Sequence, residues 1–411
     1  MRAIPLLLLV GTLTLDAQEF RSRRQALKKA LPDAVVVLFG RTEKESGDNR
    51  AGFFQEPNFQ YLTGWSQPDA VALLSPKGDT LFLPHRDERW RRYNGPAPDP
   101  DDAALRESTG FDAVAPAAKF EALLAQALES APNLFSITGH PMTDRLRALA
   151  PLREVRNATL EVARLRMKKS ESEIELIRRS TETSIEAHLA AWKRAAPGLF
   201  EYQAAAVFTA TLLDRGCPRA AYASIFASGP NALTLHYWRN SRKMDSGDLL
   251  LIDAAAECGG YASDLTRTIP VGGKFSERQR ELYEIVLGAE KAAIAAIKPG
   301  VIHESGMKGA IYQAALDYLN AHGKDRKGNP LGSYLTHGVS HHAGMNVHDA
   351  FVPGVALEAG MVITIEPGLY IPDEGIGIRI EDLVLVTDDG AQVLSKRLPK
   401  EAAEIEKYLA K

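Results

Sequence analysis

Leu249-Leu250-Leu251-Ile252-Asp253-Ala254-Ala255-Ala256-Glu257-Cys258-Gly259-Gly260-Tyr261-Ala262-Ser263-Asp264 reads as an apolar strand ending in an acid, a glycine turn, and a return to a second acid. The apolar run is a buried strand, and the return strand extends from Tyr261 to Ile269. A hairpin centred between Cys258 and Gly259 sets Asp253 opposite Asp264. Directly opposed residues share a face, with Cβ atoms roughly 4.5–5.5 Å apart.

Downstream the arrangement repeats. Met361 to Tyr370 forms one strand, Pro372-Asp373-Glu374-Gly375 the turn, and Ile376 to Val386 the return, which sets Glu366 opposite Glu381. Opposed like charges destabilise a sheet unless something neutralises them, and bound cations do so. Asp253 follows Leu249–Ile252 and Glu366 follows Met361–Ile365, so neither acid reads as a surface residue on a polar strand. Four carboxylates match the charge of two divalent cations, and an oxygen-rich site with one imidazole suits Mn, Zn, Fe or Co. The imidazole is sought in Thr336 to Asp349, which holds His337, His341, His342 and His348, four of the ten histidines of the chain. Spacing does not choose among them. Glycines in the same segment let the backbone approach closely.

Working outward, Ser170 with Glu173 is a capping-box pattern, and Ile174, Ile177, Ile185, Leu189 and Trp192 recur at helical spacing until Pro197-Gly198. A second helix spans Glu201 to Arg215. Helices at Ser276 to Ile297 and His303 to His322 precede the second strand pair, so two helices followed by paired strands occur twice, an internal duplication. Upstream, Phe20 to Ala150 reads as a smaller mixed α/β domain: a helix at Arg21 to Leu31, strands at Ala34 to Phe39, Phe59 to Leu62, Val71 to Leu74, Thr80 to Leu83 and Leu134 to Thr138, and helices at Ala118 to Glu129 and Met142 to Ala150. The domain expectation is therefore residues 1–17 as signal peptide, 18–150 as N-terminal domain, 151–169 as linker and 170–411 as catalytic domain. The fold class is α+β.

A chain of 411 residues, 45% hydrophobic, has room for more than one core. A net charge of -3 gives no basic field for a polyanion, which excludes nucleic acid as a partner. Arg2 followed by the apolar Ile4 to Leu15 and by Ala17 reads as a secretory signal peptide cleaved after Ala17, since a run of about a dozen residues is short of the roughly 20 that span a membrane. The mature protein is then exported, periplasmic or secreted, with no membrane segment. Cys217 and Cys258 could pair in an oxidising compartment, but the sequence does not show that they meet. Cys258 has no CxxC partner and reads as a packing or turn residue.

These residues resemble the pita-bread metallopeptidases of the aminopeptidase P and prolidase group. The resemblance rests on Ile252-Asp253-Ala254, Gly260 to Thr268, His337-Gly338-Val339-Ser340-His341, Ile365-Glu366-Pro367-Gly368-Leu369-Tyr370 and Gly377-Ile378-Arg379-Ile380-Glu381-Asp382. It covers Arg164 to the C-terminus. Pro57 to Trp65 resembles the N-terminal domain of aminopeptidase P. One departure is Ala255, where the family motif usually has Gly. The resemblance implies a pita-bread (creatinase/aminopeptidase-like) catalytic domain and a ligand set for two divalent ions, manganese first, with zinc, cobalt or iron as options: Asp253 on one ion, Asp264 and Glu381 bridging, His341 and Glu366 on the other. It further implies that His236 and His348 face the substrate, that His337 supports the metals, and that Arg379 lies behind Glu381. Two metals sharing a water leave hydroxide near neutral pH. Glu366 would then carry the proton, and His236 and His348 would bind the carbonyl or oxyanion.

The implied activity is removal of an N-terminal residue that precedes proline, in a homo-oligomer acting on proline-containing peptides. The alternative within the group is an Xaa-Pro dipeptidase, a prolidase. Methionine aminopeptidases lack the N-terminal domain, and creatinase-like enzymes do not keep all five ligand positions. A non-enzymatic peptide-binding module is disfavoured on the same ground.

Overall fold

The computed structural model describes residues 15–46, 52–304 and 306–410. Most of the expected signal segment therefore lies outside the described residues; at its end, Asp16 caps helix Ala17–Ala30 by accepting the Glu19 amide at 2.7 Å. Among the described residues no helix is long and apolar enough to cross a membrane. The chain divides after Leu165 into two compact units.

The first unit is built on a six-stranded mixed sheet in the order Ala113–Pro116, Gly78–Leu83, Val71–Ser75, Ala34–Phe39, Asn133–Ser136, Val155–Asn157. The central strand Ala34–Phe39 is buried along its whole length. Val35, Val37 and Phe39 pack with Leu73, Phe82 and Phe120 on one side. One expectation fails here: Phe59 to Leu62 is not a strand but part of helix Pro57–Thr63. Glu56 accepts the Phe59 amide at 2.6 Å, Pro57 presets the first turn, and Gly64 ends the helix in the left-handed region, so capping outweighs aromatic strand preference. The stretch 151–169, read from sequence as a linker, carries the edge strand Val155–Asn157 and helix Thr159–Met167.

In the second unit, helix Glu171–Arg194 opens on the Ser170/Glu173 capping box and buries Ile177, Ile185 and Trp192. It packs on Glu201–Asp214, as Glu277–Ala295 packs on Gly309–His322. The last of these begins six residues after His303, because Gly306 and Gly309 hold positive φ and break the helical run. Each helix pair is followed in sequence by strand ladders, as the duplication requires.

The two hairpins treat their expected registers differently. In the first, Asp253 lies opposite Thr266, not Asp264, and Glu257 lies opposite Ala262. The turn is centred between Gly259 and Gly260, both at positive φ, which is the two-residue geometry matched to strand twist. The error is two residues, so the side-chain parity of Asp264 is unchanged. In the second, Gly368 faces Arg379 and Ile365 faces Asp382, the register that sets Glu366 opposite Glu381. Both long strands are interrupted at the acids, into Val362–Ile365 with Gly368–Ile371 and Ile376–Arg379 with Asp382–Thr387. There the backbone bonds elsewhere: Glu366 N–H donates to Val339 O at 2.9 Å, and Glu381 N–H to Thr266 O at 3.0 Å, joining the hairpins.

Cys217 and Cys258 form a disulfide, and both are fully buried. Cys258 is therefore neither a thiolate ligand nor a nucleophile.

Candidate metal centre

The hairpins converge on a cavity of about 580 Å³ that is lined by all nine residues singled out from the sequence: Asp253, Asp264, His341, Glu366, Glu381, His236, His337, His348 and Arg379. Asp264, His341 and Glu381 each present a donor atom within 4.8 Å of the others. His341 Nε2 is 3.3 Å from Asp264 and 3.4 Å from Glu366. Its Nδ1 lies 3.1 Å from the His342 carbonyl, so Nδ1 carries the donated proton and Nε2 faces the carboxylates. Among the clustered histidines, His341 brings one ring nitrogen within 3.4 Å of two of the acids, whereas His337 comes to 3.9 Å of Glu366. His342 points instead against His303 and Phe351.

The electrostatics are those of crowded acids. Burial, with Asp264 next, pushes Glu366 up to about 7 against the pull of His341. Burial and the charges of Asp264, Glu366 and Asp253 push Glu381 well above the carboxylate range. For His341 burial opposes charge, but Asp264 and Glu366 outweigh it and lift the imidazole to about 9. Asp253 Oδ1 is buried without a hydrogen-bond partner. An oxygen-rich donor set with one imidazole, an orphaned carboxylate oxygen and like charges held together fits divalent cations well.

A directed hydrogen-bond chain supports the acids. Arg379 donates to Asp253 Oδ2 at 2.5 Å, to Tyr370 OH at 2.8 Å and to Thr266 Oγ1 at 3.3 Å. Thr266 in turn donates to Glu381 Oε2 at 2.6 Å. Arg379, expected behind Glu381, therefore bonds Asp253 directly and reaches Glu381 through Thr266. Tyr370 OH lies 2.9 Å from His337 Nε2, and His337 Nδ1 lies 2.7 Å from Gly338 O. Burial first, then Arg379, lowers His337 to about 4, so it is neutral and accepts from Tyr370. Arg267, fully buried, donates to the backbone carbonyls of Glu381 at 2.6 Å and Thr266 at 3.0 Å, fixing the junction of the hairpins.

His236 and His348 form the walls. His348 stacks edge-on against His341 with centroids 4.2 Å apart. Burial, then the charge of His341, lowers its pKa. Its neighbour Asp349 is buried and paired with Arg166 and, at 3.3 Å, Lys169. Tyr370, Thr266, Tyr222 and Trp238 also belong to the site, and sequence spacing assigns them no role. Tyr370 shares strand parity with Glu366, the one local signal that points to it. Tyr222 and Trp238, which also line the cavity, stand in loops that carry no periodic signal.

Residues 175–388 match the model of metallopeptidase family M24, and residues 20–135 match that of the aminopeptidase P N-terminal domain. The Xaa-Pro aminopeptidase of Escherichia coli K12 is 34% identical, over 95% of this chain and 97% of its own length. Human Xaa-Pro aminopeptidase 3 is 33% identical, over 90% of this chain and 80% of its own length. Among solved structures, the aminopeptidase PepP of Pseudomonas aeruginosa superposes with a TM-score of 0.88 at 31% identity, covering 97% of this chain and 99% of that one.

Proposed function

The chain belongs to metallopeptidase family M24 and carries an aminopeptidase P N-terminal domain, and from that premise we propose that it removes the N-terminal residue from peptides with proline in second position. The observation that carries this reading is the convergence of four carboxylates and the His341 imidazole in one cavity, walled by His236 and His348. The alignment with Xaa-Pro aminopeptidases over nearly the whole chain, N-terminal domain included, supports the aminopeptidase over the dipeptidase.

In this reading Asp253, Asp264, His341, Glu366 and Glu381 hold two divalent ions, with manganese as the native metal. When bound, the ions supply an acidified water and polarise the scissile carbonyl. Glu366, set opposite Glu381 in the cavity lining, takes a proton and returns it to the leaving amine of proline. His236 and His348 donate to the scissile carbonyl oxygen as it gains charge. Neutral His337 and the Arg379–Tyr370 pair hold Asp253 and Glu381 in place through the bonds described above. The protein is exported, a reading supported by the apolar N-terminal run and by the buried Cys217–Cys258 disulfide, which suits an oxidising compartment. It acts as a homo-oligomer, which light scattering tests.

Digestion of an Xaa-Pro-Yaa tripeptide, an Xaa-Pro dipeptide and an Xaa-Ala-Yaa control with manganese, zinc and cobalt supplied in turn tests the substrate reading. The tripeptide should be cleaved at the Xaa-Pro bond and the control left intact. Preferential cleavage of the dipeptide would replace the reading with a dipeptidase.

A further inference from the structure

Glu201, the first residue of helix Glu201–Asp214, is fully buried although it is ionisable. It does not line the cavity. Five donors converge on its carboxylate. Ser228 N–H and Oγ, each at 2.7 Å, and Asn231 Nδ2 at 3.1 Å bond Oε1; Tyr237 OH and Arg242 N–H, each at 2.8 Å, bond Oε2. Every donor belongs to the single segment 228–242. The backbone closes the same contact, with Glu201 N–H donating to Arg242 O at 3.0 Å.

That segment carries His236. Tyr237 is turned inward and tied to Glu201, while its neighbours His236 and Trp238 are exposed and both line the cavity. Residues 234–240 form no helix or strand, so no ladder fixes their conformation. A buried carboxylate with all its acceptor positions filled is costly to leave half-satisfied, which makes the arrangement of donors around it close to all-or-none.

We propose that Glu201 is a positioning residue for peptide hydrolysis: through Tyr237 it sets the segment that presents His236 to the substrate. The inference rests on the reading of His236 as a substrate-facing group. It assigns a catalytic consequence to a carboxylate that does not line the cavity.

The test is a double-mutant cycle on the full-length, metal-loaded enzyme with an Xaa-Pro-Yaa tripeptide. Glu201→Gln keeps the shape but leaves at least one donor facing an amide NH2, and it should lower kcat/KM by roughly ten- to a hundredfold with metal content unchanged. In a His236→Ala background the same change should cost less than about threefold, because the group it positions is gone. Tyr237→Phe removes one link while leaving the buried carboxylate four partners; its smaller loss should likewise vanish in the His236→Ala background. If Glu201→Gln does not fold, the Tyr237→Phe cycle decides alone. Losses of equal size with and without His236, or full activity in His236→Ala, would overturn the proposal. Failure of the wild-type chain to cleave the tripeptide would instead overturn the substrate reading and is seen before any variant is made.

Discussion

The two acid-bearing hairpins do the same work with different supports. The Asp253/Asp264 hairpin is braced from outside: Ser180, Ser184 and His188 of helix Glu171–Arg194 bond its backbone at Cys258, Ala256 and Ala254, and a disulfide ties Cys258 to Cys217. The Glu366/Glu381 hairpin is held by its own register, by Val339, by the bridge to Thr266 and, at its turn, by Arg278 of helix Glu277–Ala295, which donates to Glu374 at 2.7 and 2.9 Å. A turn with two glycines at positive φ specifies register weakly from sequence, whereas Pro372 to Gly375 specifies one turn. Side-chain parity survives a two-residue slip, so the site was more legible than the ladder that builds it.

The largest effects are expected at the acids themselves. Glu366→Gln should leave the fold intact and lower kcat by about a thousandfold or more, read with an Xaa-Pro-Yaa peptide. The corresponding Asp264→Asn in the braced hairpin should be as severe, since both hairpins serve one centre. A mild effect in either would separate them.

Next comes the brace. Replacing Cys217 and Cys258 by Ser should cost about 4 kcal/mol in urea unfolding, from the loop closed over a separation of 41 residues. The second hairpin has no equivalent liability.

His188 gives the first hairpin a pH dependence. Its Nε2 lies 2.8 Å from Ala254 O, and burial lowers its pKa to about 4. The unfolded chain takes up a proton below about 6.5 and the native chain does not until about 4, so the stability tied to neutral His188 is present at high pH and lost as pH falls. The loss is about 3 kcal/mol between these limits by linkage. His188→Gln should flatten the fall in unfolding free energy from pH 7.5 to 5 by a corresponding share; an unchanged slope would remove His188 from the account.

The turns give the smallest contrast. Gly259 has φ +62° with Leu176 only 2.8 Å from an added Cβ, while Gly375 has φ +64° and open space around it. Gly259→Ala should therefore cost about 2–3 kcal/mol and Gly375→Ala about 1 kcal/mol, since only the first adds a clash to left-handed strain. Equal melting-temperature losses would contradict the packing of the first turn.

The same contrast shows what the sequence could and could not supply. Capping boxes, the duplicated helix pairs and the second register were written in local patterns. Helix Pro57–Thr63 departs from the strand expectation because its aromatic residues favour a strand while its caps, Glu56 and Gly64, decide otherwise. The choice of His341, the Arg379–Asp253 bond and the disulfide depend on contacts between residues dozens of positions apart, which periodicity does not encode. Glu201 lay outside any motif: its five donors are visible only once the segment 228–242 folds over it.

The claim that both hairpins hold metal in one centre is tested most directly by metal analysis of the purified chain beside peptidase activity, before and after exhaustive chelation. The expected result is bound divalent ions, up to two per chain, with Xaa-Pro-Yaa cleavage lost on chelation and restored by manganese. Cleavage that persists unchanged in metal-free protein would contradict it.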